Sequence, residues 1–382
     1  MKTLTRTLVL IASLVLTSTT FATGESWNAQ MSSLAKSLSA IMPMIFDANQ
    51  FEDPKNRELL KRELKVLRDT STSVNAKIKD HGIKTVAGDD PAVVYLANEF
   101  NSQIEFADDS FKSGDFVGAR LALRPALSYC ISCHTRSSQG PSFAKDPFKG
   151  SLDNLRPTDR MAVLTATRQY DQVLKELPAA LRAARGDVYQ IEYATRVALA
   201  VSVRVKNSPT DAMRVLDLTQ ATPDLPKSTE RALKAWRTSS VSWAAEKQAK
   251  NDPATKLEKA EALILAAEKK KTYIADNSAD LEYLRASATL HEYLRENLTS
   301  SERARAYQAL GKTYEAIKDL GFWELQDVYF EACVRETPHS PLAKQCFAKL
   351  EESLVLGYTG SAGTHLPSPA KKKLSELKKL AE

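Results

Sequence analysis

The sequence predicts an all-α protein, and three observations carry that prediction. Glycine is scarce, with 13 in 382 residues. Ala and Leu are the commonest residues, and they, like Lys, Glu and Arg, lose least on entering a helix. Apolar side chains recur at helical rather than alternating spacing from about residue 26 onward. Length alone allows two or three domains. The pattern suggests an N-terminal four-helix bundle over residues 23–137, a linker at 138–157, and an array of antiparallel helix pairs over 158–382.

The first residues read as a leader. "MKTLTRTLVLIASLVLTSTTFATG" places Lys2 and Arg6 before an apolar run from Leu8 to Leu16, then small residues around Phe21. This is the layout of a secretory signal peptide with cleavage after Ala22, so residues 1–22 are excluded from the fold. The run is too short to span a bilayer, and no later stretch is apolar enough to do so. Export to the periplasm is the expectation, and it permits disulfides. Without Lys2 and Arg6 the charge is mildly positive, too weak to argue for nucleic acid. Basic and acidic residues balance over 23–150, so the excess lies later, including the tail "PAKKKLSELKKLAE".

Four helical segments follow. The first, from about Ser26 to Asp47, puts Met31, Leu34, Leu38, Ile41, Met42 and Ile45 on one face. The second starts at Asp53-Pro54, a capping residue before a first-turn proline, and buries Leu60, Leu64, Leu67, Val74 and Ile78. The third starts at Asp90-Pro91 and buries Val93, Leu96, Phe100, Ile104, Ala107 and Phe111. After the short turn "KSGD", the fourth runs from Asp115 to His134. Mostly short connections suggest up-down-up-down packing.

The fourth segment ends in C-x-x-C-H: Cys130, Cys133 and His134. At i, i+3 and i+4 they share the apolar face of a helix. Two thiols so placed can add to the two vinyl groups of a haem, and the adjacent imidazole is held against the iron. A zinc site would need two more soft ligands, which nothing nearby supplies. A redox dithiol would normally open a helix in an α/β context, and no strand pattern is present.

A bundle whose last helix reads "SGDFVGARLALRPALSYCISCH" resembles the cytochrome c′ and cytochrome c-556 family over about residues 26–140. The resemblance implies one covalent haem c on Cys130 and Cys133, with His134 as proximal iron ligand. The family commonly carries a basic residue shortly beyond the histidine. Arg136 is close by, at a different offset.

The distal iron ligand is read from topology. The start of the first helix lies beside the end of the fourth, which makes Met31 the distal candidate. Met42 falls roughly 16 Å further along the axis. Met44 points to nearly the opposite face, with Pro43 between. The alternative is a core methionine beside an open iron.

"RSSQGPSFAKDPFKGSLDNLRP" is a connection in which Phe143 and Phe148 are candidate packing residues. Beyond it, breaks at "NSPTD", "TPDLPKS", "NDP", "DNSAD", "NLTSSE" and "TPHSP" separate helices. "ALGKTYEAIKDLGFWELQDVYFEACVRETP" resembles a tetratricopeptide unit, with Leu310, Gly311 and Tyr314 on its first helix and Phe330, Cys333 and Pro338 on its second. "DAMRVLDLTQATPDLP" looks like another second helix. Gly311 would let paired helices approach closely. Such arrays usually bind protein. His291 and His339 have no evident partner set and read as packed or solvated.

Cys333 stands five residues before Pro338, and Cys346 five after Pro341. If these helices fold back antiparallel the cysteines come level, which makes a disulfide the expectation. Two buried free thiols are the alternative.

These features point to an exported monohaem electron carrier with a redox partner protein, and to a second protein partner on the helical array. A gas-binding or sensing haem protein is the alternative, and a scaffold with structural haem a third. No acid-base constellation or phosphate loop argues for an enzyme.

Overall fold

A computed structural model describes residues 27–81, 90–136, 138, 152–248, 254–273, 276–317 and 325–382. The expected leader and the linker residues Phe143 and Phe148 lie outside the described residues. What is described is all-helical apart from turns and one exposed two-residue hairpin, Thr359–Gly360 with Gly363–Thr364, which the helical pattern did not anticipate.

The first part comprises α1 (Trp27–Phe46), the short α2 (Ala48–Glu52), α3 (Arg57–His81), α4 (Pro91–Ser113) and α5 (Phe116–His134). Local chemistry sets their ends. Asp53 accepts from Lys55 N–H before Pro54, Asp90 from Ala92 N–H before Pro91, and Asp115 from Gly118 N–H. Each such cap contributes about 1 kcal/mol. Gly114 closes α4 at φ 88°, a left-handed backbone that glycine adopts without steric cost. Each long helix packs on the next, α1 on α3, α3 on α4 and α4 on α5, and α1 returns to touch α5. The apolar faces read from periodicity point inward, with Met31, Cys130, Cys133 and His134 half-buried.

The second part continues with α6 (Pro157–Ala166), α7 (Tyr170–Ala183), α8 (Val188–Ala200), α9 (Pro209–Gln220) and α10 (Lys227–Gln248). Then follow α11 (Lys256–Lys270), α12 (Asp280–Tyr293), α13 (Ser300–Ala316), α14 (Leu325–Glu336), α15 (Pro341–Gly357) and α16 (Ser368–Ala381). Val201–Val205 extends α8 as a buried π turn with no sequence signal. Consecutive helices pack pairwise through most of this region, and contacts also join next-but-one neighbours. Gly311 of α13 lies so close to α14 that an added Cβ would collide with the Phe330 ring, as its place in the pattern suggested.

The change of pattern near residues 137–158 is not a change of core. The apolar interior of α1–α5 runs without a break into α6–α10, through residues such as Met161, Val163 and Leu177. Serine, glycine and proline in the connection mark the end of a helix, and they carry no information on what packs across it. A second interior joins α11–α16 and reaches Ala92 and Leu96 of α4. Tyr129 and Cys133 of α5 pack against both. The end of α5 is therefore enclosed by both parts of the chain.

Candidate haem site

The last turn of α5 presents Cys130, Cys133 and His134 to a cavity of about 490 Å³. That is an ordinary size for a small-molecule site. Its walls are mainly apolar: Leu34 and Leu38 from α1, Val74 from α3, Leu96 and Phe100 from α4, and Val163 from α6. Met31 and Met42 both line it, whereas Met44 does not. The topological argument thus brings Met31 to the cavity, but Met42, expected a level away, faces it as well.

Cys130 and Cys133 are free thiols. Burial, followed by the neighbouring Cys133, pushes Cys130 up to about 12, and burial also raises Cys133. Both are protonated at neutral pH. That leaves two neutral sulfurs in apolar surroundings.

His134 is held differently. Its Nδ1 lies 2.6 Å from the carbonyl oxygen of Ala166. Burial first, then the nearby Arg168 charge, lowers its pKa to about 4 against the opposing effect of that hydrogen bond. The ring is neutral at pH 7. With Nδ1–H donating to Ala166, Nε2 keeps its lone pair as a ligand atom. Tyr170 Oη donates to the His134 carbonyl at 2.8 Å, fixing the end of the helix.

The acceptor comes from the end of α6. There Gln169 N–H reaches back to Leu164 and Arg168 N–H to Thr165, the two bonds of a Schellman cap. Ala166 is the last residue of α6, and its carbonyl is the one His134 takes. The donor set and the shape therefore suit a haem: two neutral thiols, one imidazole with a free nitrogen, two thioethers and an apolar wall.

Behind the same helix end lies a filled polar cluster. Arg136 and Asp90 are buried, and Arg136 Nη1 donates to Asp90 Oδ2 at 3.0 Å and to Tyr329 Oη at 2.5 Å. Tyr329 Oη donates to Asp90 Oδ1 at 2.9 Å. His291 Nδ1 stands 2.9 Å from Asp90 Oδ2, and its Nε2 lies 2.9 Å from Tyr314 Oη. Arg204 Nη2 donates to Tyr314 at 2.9 Å, and the Tyr314 and Tyr329 rings stack with centroids 5.4 Å apart. Burial works against the Asp90 carboxylate, but Arg136 and His291 overcome it and hold its pKa below the usual range. Burial, then Arg136, lowers His291 to about 4.

His291 is thus not without a partner, contrary to the sequence reading. Asp90 carries a signal only as a cap, and its contact with Tyr329 spans 239 residues. Arg136, unassigned from its offset, anchors this cluster. His339, by contrast, is exposed. Farther off, Cys333 of α14 and Cys346 of α15 meet as a disulfide with Cα atoms 6.1 Å apart.

No family model, no curated protein and no solved structure matches the chain. Among the described residues no helix is long and apolar enough to cross a membrane.

Proposed function

We propose that the protein is an exported monohaem c-type cytochrome that transfers single electrons. One observation carries this reading: Cys130, Cys133 and His134 occupy one turn, face one apolar cavity, and leave His134 Nε2 available through the bond to Ala166. Bound haem would supply one-electron chemistry through ferric and ferrous iron. Cys130 and Cys133 would hold it by thioether bonds, and His134 would be the proximal ligand. Met31 lines the same cavity and supports thioether ligation on the distal side, with Met42, further along α1, a second thioether on its wall. The apolar walls would suit the haem ring, and the Ala166 bond would fix the imidazole tautomer.

In this reading α1 and α3–α5 form a haem bundle of the cytochrome c′ kind. The later helices form a tetratricopeptide-like array that docks a protein partner, while a redox partner meets the haem. The alternative, a gas-binding haem protein, is favoured if neither methionine reaches the iron. Ferric and ferrous absorption spectra with and without carbon monoxide test the choice. A low-spin ferrous spectrum indifferent to carbon monoxide is expected of the carrier. A high-spin spectrum unchanged in Met31→Ala and Met42→Ala would favour gas binding.

A further inference from the structure

Arg168 stands where its backbone disfavours it. Its φ is 58°, in the left-handed region, at the residue just past the α6 cap where glycine is the usual occupant. An L side chain there costs free energy that glycine would not. The side chain is half-buried and lines the cavity together with Cys133 and His134. It follows by two residues the Ala166 carbonyl that holds the His134 ring. The same helix end that orients the proximal ligand thereby places a cation on the cavity wall.

We infer that Arg168 is a positioning residue that sets the reduction potential of the haem, raising it by destabilising the ferric state. The inference rests on the haem reading above. Ferric haem carries one more positive charge than ferrous haem, so a fixed cation nearby favours reduction. In a half-buried, mainly apolar crevice that influence is weakly screened. Ala166 acts in the opposite sense. Its carbonyl lies at the negative end of α6 and makes the imidazole a stronger donor, which favours ferric iron. The α6–α7 corner therefore holds two opposed controls on one ligand.

A helix C-terminus also welcomes a cation for stability alone. Three substitutions separate the roles, read by redox titration of protein with haem attachment verified by intact mass. Arg168→Gln removes the charge and lowers the potential. Arg168→Lys keeps the charge and retains most of the wild-type value. Arg168→Gly lowers the potential while raising the thermal midpoint, because glycine relieves the backbone. Arg295→Gln, on the same cavity but exposed, gives a smaller shift that fades at high salt. Attached haem with an unchanged potential in Arg168→Gln and Arg168→Gly overturns this proposal alone. An equal fall in Arg168→Lys also overturns it, since packing rather than charge would then be responsible. Absence of attached haem overturns the underlying reading and this proposal with it.

Discussion

The end of α5 meets the later helices at two places, and they are finished in opposite ways. At His134 the chain leaves a mainly apolar space of about 490 Å³. At Arg136, two residues on, it fills the interior with Asp90, His291, Tyr329 and Tyr314, held by hydrogen bonds. A cavity among packed helices forgoes dispersion contacts and is retained at a cost unless something fills it. A buried charge cluster is tolerable only when its members are paired. The contrast separates a place with room for a group from a place that joins two parts of the chain.

The largest effect should come from breaking the filled side. Asp90→Ala leaves the Arg136 guanidinium buried without its carboxylate, a change that costs about 3–5 kcal/mol. Urea unfolding of the variant is the check, and a loss below about 1 kcal/mol would show that the cluster does not join the two parts. Acid should weaken the same place. The His291 pKa is lowered to about 4 in the fold, against 6.5 for an ordinary histidine. The unfolded chain therefore binds a proton first as pH falls. Stability at this residue is fully present above pH 6.5 and is lost between 6.5 and about 4, by roughly 3 kcal/mol. The slope of unfolding free energy across that range should fall in His291→Gln, with His134, lowered to about 4 as well, contributing the slope that remains.

Away from both places, the Cys333–Cys346 disulfide closes a short loop of sequence separation 13. Reducing it should cost about 3 kcal/mol or less in the chain-entropy model. Peptide mapping without reductant should recover one cross-linked pair, and two separately alkylated peptides would remove the bond from the account. Gly311→Ala drives a methyl into the Phe330 ring and should cost roughly 1–3 kcal/mol. It should leave the absorption spectrum of attached haem unchanged, because Gly311 does not line the cavity.

Much of this was readable along the chain. The caps at Asp53 and Asp90 and the prolines at 54, 91 and 341 act within one turn, so they announce themselves locally. The same holds for Cys130, Cys133 and His134, whose spacing is itself the geometry. Pairings across the fold left no such trace. Asp90 looks like a cap and also is the centre of a cluster reaching Tyr329. Arg168 belongs to no periodic pattern, because its role comes from where α6 ends against α5. The shared core of α1–α10 was hidden for a related reason: a linker signal describes the backbone, and it does not describe what packs beside it.

The central claim is that the cavity at His134 receives a haem bonded to this chain. Intact mass of the exported, purified protein after acid-acetone extraction tests it most directly. The account predicts one haem retained, and none in a Cys130→Ser, Cys133→Ser double variant that still folds. Haem that partitions into the solvent, or a mass equal to the polypeptide alone, would contradict it.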